Sequence, residues 1–310
     1  MSKRAELDLS LGARVPVSAL PPAKTPPPAK RIERLKQTRQ LIVILDRLSL
    51  RGAEPSDFAE PLHILLNGVQ HKGVSLTDGR FYRVRRINGR FFGHIDELKY
   101  PKRGAKKGRA NRQDEPMLYA AYSEKAAFVE KGAKVGETFA LAAIAKHPGH
   151  RDPIQFFPIA MPQSSPYATP IRNKAEQLVH DYLNREMAKP VAAGQEHEYN
   201  PTIAITENFL SKPTFDPRNW NQSQPVYPAV GLVYPSVRAS EPYDDNSYNI
   251  VVRPDVFDAH YGIIEVHACT IVSEPGRRWA VRPIATATIS KDGALQWHEA
   301  GSATSYARGP

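Results

Sequence analysis

The sequence holds one cysteine, Cys269, which excludes an intramolecular disulfide framework and any zinc site built on several thiolates. Between His267 and Ile271, in an alternating run, Cys269 reads as a small buried strand residue. No base is fixed beside it by sequence to make it a nucleophile. No apolar run approaches the ~18 residues that span a bilayer, and no signal-like apolar core follows the basic start. A soluble, cytoplasmic protein without membrane contact is the expectation. The absence of G-x-G-x-x-G argues against a Rossmann dehydrogenase. The absence of a G-x-S-x-G elbow argues against a serine hydrolase. His147 and His150 have a metal-like spacing, but Pro148 and Gly149 set them in a turn and no third ligand is evident, so no metal is expected.

What is present is positive charge. The chain of 310 residues carries a formal +10 and a pI near 9.6, which calls for an anionic partner. Residues 1–40 hold nine Lys or Arg against three acids. A second cluster, Lys99, Lys102, Arg103, Lys106, Lys107, Arg109 and Arg112, has no acid within it and suits an electrostatic funnel. With 41% hydrophobic residues the chain can bury a substantial core.

Six prolines between Pro16 and Pro28 make residues 1–28 an extended, disordered basic tail, either a solvated linker or a tether. Residues 29–75 read as a helical extension. Ile32, Leu35, Leu41, Ile42, Leu45 and Leu48 form an apolar stripe that Gly52 stops, and Ser56 or Asp57 caps a second helix. These helices either cover the core or meet another subunit of a homo-oligomer. Thr77-Asp78-Gly79 turns the chain into a strand over 81–87. Residues 132–145 fit a strand or a helix. Residues 153–170, with five prolines, read as a surface excursion, and 171–187 as an amphipathic helix. Asn200 then caps a helix opened by Pro201, and 215–228 is loop. Strands follow at 229–234, 248–252, 263–272 and 279–289, and the tail 301–310 is flexible.

The chemistry concentrates in residues 108–130, GRANRQDEPMLYAAYSEKAAFVE. A glycine-rich basic loop, whose Gly104 and Gly108 allow movement over a ligand, leads to a short strand over 117–122. Ser123 caps a helix of small residues that ends at Glu130. Upstream, Arg83 and Arg85 share one face of their strand. They are either solvated charge or planar donors aimed into a cleft. Downstream, Pro235 ends a strand so that Ser236 emerges, either as a turn residue or facing a ligand.

The blocks Phe81-Tyr82-Arg83-Val84-Arg85, the 108–130 stretch, Tyr199-Asn200-Pro201-Thr202, Gly231-Leu232-Val233-Tyr234-Pro235-Ser236 and Asn249-Ile250-Val251-Val252 together resemble the RES-domain family. The resemblance places that domain at 76–300. It implies an α+β fold, with the split β-sheet core of ADP-ribosyltransferases, flanking helices and an N-terminal extension. It also implies an NAD-destroying toxin that breaks the nicotinamide–ribose bond by phosphorolysis or hydrolysis. On that reading Glu130, Arg83 and Ser236 are catalytic, and Arg109, Tyr119, Tyr82 and Arg85 bind substrate, with Arg85 able to replace Arg83. NAD is then a substrate and not a cofactor, inorganic phosphate is the co-substrate, and an antitoxin or immunity protein is a partner. Transfer of ADP-ribose to a protein would use the same constellation. A non-enzymatic nucleic-acid binder would explain the charge but not the ordered blocks; nucleic acid would otherwise be met only through a partner.

Overall fold

The computed structural model describes residues 28–67, 69, 73–75, 80–148, 155–165, 167–210, 213–214, 227–228, 230–236, 247–273 and 280–300. Both tails (Pro28 excepted), the Thr77-Asp78-Gly79 turn, Gly149 and His150, and most of the 215–228 loop lie outside these residues. In chain order the elements are α1 (Pro28–Leu50), α2 (Ala59–Leu66), β1 (Val74–Ser75), β2 (Phe81–Arg86), β3 (Leu118–Ala121), α3 (Glu124–Glu130), β4 (Thr138–Lys146), β5 (Gln155–Pro158), α4 (Lys174–Ala188), α5 (Asn200–Leu210), β6 (Pro213–Thr214), β7 (Tyr227–Pro228), β8 (Gly231–Pro235), β9 (Tyr248–Val252), α6 (Pro254–His260), β10 (Tyr261–Ser273), β11 (Ala280–Ile289) and β12 (Leu295–Glu299). The architecture is α+β. No described helix is long and apolar enough to cross a membrane.

One sheet runs in the order β1-β5-β8-β9-β3-β2-β4-β10-β11-β12, antiparallel except where β5 meets β8. Its middle is nearly cut through. β2 and β4 share six residue pairs and β3 and β9 share four, but β2 and β3 pair only at Tyr82 and Ala121. Two half-sheets of five strands therefore meet at one point. Between them lies an apolar core drawn from both, with Phe81, Ala140 and Ile144 from one side and Leu118, Val233 and Ile250 from the other.

The other face of the first half-sheet carries α1, α2, α4 and α5, where Leu41, Leu45, Leu62 and Leu65 pack with Phe157, Leu232 and Val251. Full burial of such leucines stabilises by about 1.5–3 kcal/mol each. The burying stripe of α1 is narrower than its apolar pattern suggests, because Ile32 is 58% exposed while Thr38 is buried and donates to the Arg34 carbonyl at 2.8 Å. Arg34 in turn donates to the Leu65 carbonyl at the end of α2. Gly231 must be glycine: a Cβ there would sit 2.1 Å from the Val251 carbonyl oxygen.

Several local expectations are corrected. The prolines at 153–170 do not make a surface excursion throughout. Gln155–Pro158 is a fully buried strand, and Ile159 and Met161 are buried beyond it. Pro158 is tolerated because, among the described residues, β1 pairs only with Gln155 and Phe156, which leaves that side of β5 an edge at Pro158 where no N–H is needed. Residues 138–146 are strand, which settles the ambiguity there. Asn200 does not cap α5. A 3-10 turn over Glu196–Tyr199 runs straight into the helix, and the Asn200 side chain donates to the Ala53 carbonyl at 2.8 Å. Neither Ser56 nor Asp57 caps the second helix. A 3-10 turn precedes α2, with Glu54 before it, and the Asp57 carboxylate accepts the Glu54 N–H at 3.0 Å.

Candidate active site

The split between β2 and β3 opens a cleft of about 160 Å³ lined by Tyr82, Arg83, Val84, Tyr119, Ala120, Ala121, Ala127, Glu130, Lys131, Tyr234 and Asn249. Its construction begins at Ser123, whose Oγ accepts the Ala126 N–H at 3.2 Å and starts α3. Ala126, Ala127 and Phe128 are buried against Val84, Phe139 and Leu141. Small residues on that face let α3 lie close to the sheet, so its last residue, Glu130, reaches the split. Ser236, 5% exposed at the end of β8, donates its Oγ to Glu130 Oε1 and its N–H to the Ser247 carbonyl at 3.0 Å. Asn249, 6% exposed, pairs with Tyr234 across β8 and β9.

Arg83 stands in the same cleft. Its Nη1 donates to the Tyr119 carbonyl, and its buried Nε has no hydrogen-bond partner. Burial first, then Arg85, lower its pKa to about 10, opposed by Tyr119. A buried guanidinium with an unused donor is a costly group that a bound anion would satisfy.

Tyr119 lines the cleft, but its hydroxyl is engaged. It donates to Asn111 Oδ1 at 2.6 Å and accepts the Ala110 N–H at 2.9 Å. Burial drives its pKa well above the usual tyrosine value. Asn111 also donates to the Lys106 and Arg112 carbonyls, at 2.9 and 2.8 Å. It is therefore the hub of the 106–112 loop. Gly108 serves close packing here: a Cβ would lie 2.7 Å from Asn111 Oδ1 and 2.9 Å from the Tyr119 hydroxyl.

Arg109 does not line the cleft. Its guanidinium donates to the Glu186 and Lys189 carbonyls at 3.1 and 2.8 Å, closing the C-terminal end of α4, and lies over the Tyr199 ring at 5.6 Å. Arg85 also points elsewhere, donating to the Glu97 carbonyl and lying over Phe92. The funnel expected of the 99–112 cluster is partly neutralised by acids outside it, one adjacent in sequence and two distant. Lys99 meets Asp96 and Asp258, Lys102 meets Asp96, and Arg112 meets Glu207 through two bonds.

Glu130, Arg83, Tyr82 and Tyr119 thus line one cleft, with Ser236 bonded to Glu130, while Arg109 and Arg85 stand apart. Sequence reasoning missed Lys131, Tyr234 and Asn249 as cleft residues, although the last two fall inside apolar blocks that mark β8 and β9. Cys269 is a buried strand residue whose thiol is pushed up to about 12, chiefly by burial. Among the described residues no group of three His, Cys, Asp or Glu is placed to hold a metal ion.

A family model described as "RES domain" matches residues 80–270. No curated protein and no solved structure matches the chain.

Proposed function

The chain belongs to the RES-domain family, and from that premise we propose that it consumes NAD by cleaving the bond between nicotinamide and ribose. The observation that carries this reading is Glu130, which lines the cleft together with Arg83 and accepts a hydrogen bond from Ser236. Cleavage of an N-glycosidic bond develops positive charge at the sugar, and a carboxylate fixed nearby stabilises it. Glu130 is that carboxylate and Ser236 orients it. As an oxygen nucleophile bonds to the anomeric carbon, the carbon–nitrogen bond breaks, and its electron pair neutralises the pyridinium ring, which leaves as nicotinamide. With phosphate as nucleophile the product is ADP-ribose-1″-phosphate. With water, one proton is also released, to Glu130 or to solvent. Arg83 answers the substrate's negative charge, and the rings of Tyr82 and Tyr119 supply apolar surface for nicotinamide.

The sheet split at Tyr82 and Ala121 supports the likeness to ADP-ribosyltransferases, and transfer to a protein acceptor is the second reading on the same residues. The biological role that follows from the family is that of a toxin restrained by an antitoxin or immunity protein. Purified protein mixed with NAD, with and without inorganic phosphate, tests the first reading through nicotinamide release and the sugar product. Release that depends on phosphate identifies a phosphorylase, and release without it a hydrolase. Absence of release in both, with ADP-ribose appearing on an added protein, favours the transferase. Absence of all three overturns the proposal.

A further inference from the structure

We propose that a basic bay beside the cleft, formed by Arg85, Arg86, Arg90 and Lys131, binds the diphosphate of the dinucleotide; this rests on the reading above. The cleft, at about 160 Å³, falls short of the roughly 300–1,000 Å³ typical of a small-molecule site. A dinucleotide must therefore extend beyond it. Two cavities, each of about 460 Å³, adjoin the cleft and offer different chemistry.

One shares Tyr82 with the cleft and is lined by Glu124 and Glu265 together with Arg80, which is already paired with Glu265 at 2.9 Å. Two carboxylates there repel phosphate. The other shares Lys131, the residue after Glu130, and is lined by Arg85, Arg86, Asn88, Arg90, Lys131, Phe92 and Phe139, with no carboxylate among them. It starts two residues along β2 from Arg83, so cationic groups continue outward from the cleft. Its arginines are held in place: Arg85 by the Glu97 carbonyl and the Phe92 ring, Arg86 over Phe139 at 5.7 Å with Glu137 at 2.9 Å, and Arg90 beside Glu97 at 3.3 Å. The Glu97 carbonyl and Phe92 pre-position Arg85, which lowers the entropic cost of gripping a phosphate; the pairs of Arg86 with Glu137 and Arg90 with Glu97 are exposed and weak, so a diphosphate can displace those carboxylates. The bay supplies the diphosphate contacts that Arg109, engaged at the end of α4, does not.

The test uses the full chain and ADP, which has no scissile glycosidic bond to nicotinamide. Calorimetry on the wild type and on the double variant Arg86→Gln/Arg90→Gln is compared with NAD kinetics. Arg86 and Arg90 are well exposed, 48% and 78%, so the variant keeps the fold, which a thermal melt verifies. The expected result is at least about tenfold weaker ADP binding, with KM for NAD raised in parallel and kcat retained. Lys131→Gln acts in the same direction. Unchanged ADP affinity and KM overturn the bay. Inorganic phosphate binding as tightly as ADP also overturns it, because the site would then take a simple anion. A wild type that binds ADP through the bay but releases no nicotinamide defeats the activity and leaves the bay standing. Nicotinamide release with kinetics untouched by the variants defeats the bay alone.

Discussion

Ser236 and Glu130, separated by 106 residues, are joined by a hydrogen bond from the serine hydroxyl to the glutamate carboxylate. One ends a strand of the first half-sheet and the other ends the helix that packs on the second. Replacing Glu130 with glutamine keeps an oxygen for Ser236 and removes only the charge. NAD turnover is expected to fall by about 10²–10³-fold with the thermal melt unchanged. A melt lowered in proportion to the lost activity would make Glu130 structural. Ser236→Ala is expected to lower kcat more than it changes KM.

Arg83 gives the pH dependence. Its pKa of about 10 lies well below the ordinary arginine value, so its charge is lost as pH rises through about 10. The kcat/KM for NAD is expected to fall on that alkaline side, and a bound anion, by favouring the cation, moves the limb of kcat to higher pH. For stability the sign is opposite. Below pH 10 the group is charged in both folded and unfolded chains and its burial cost is present in full, and this cost fades as pH rises above about 10 toward the ordinary arginine value. A kcat/KM profile that stays flat to pH 11 would remove Arg83 from substrate binding.

Tyr119→Phe retains the ring and severs the bonds to Asn111 and Ala110. The expected result is a loss of about 1–3 kcal/mol in stability, read by chemical denaturation, with kcat close to wild type. A large drop in kcat at constant stability would place the hydroxyl in the reaction.

Arg109→Lys cannot reproduce two directed bonds to the Glu186 and Lys189 carbonyls. It is expected to lower the melting temperature by several degrees while leaving KM for NAD little changed at low temperature. A tenfold rise in KM with an unshifted melt would show that the guanidinium reaches substrate.

The site was legible where local signals coincide with local structure. Ser123 before a run of small residues gives both the cap and the helix that carries Glu130, and the apolar blocks at 231–235 and 248–252 are strands. It was illegible where partners are distant. Nothing near Arg109 in the chain reveals carbonyls 77 and 80 residues away, and nothing near Lys99 or Arg112 reveals Asp258 or Glu207. The buried strand Gln155–Pro158 was hidden by Pro158 and the prolines that flank the strand, and its burial on both faces erases the alternation that usually marks a strand.

The family-matched segment, 80–270, is smaller than the unit that folds around it. β1 pairs with β5, α1 and α2 share a core with α4 and α5, and β11 and β12 extend the sheet past β10. A protein trimmed to the matched residues would expose Phe157, Leu232 and one edge of β10 to water and to other chains, and would be recovered as aggregate. Expression clones intended for crystallisation or assay should begin no later than α1 and continue through β12.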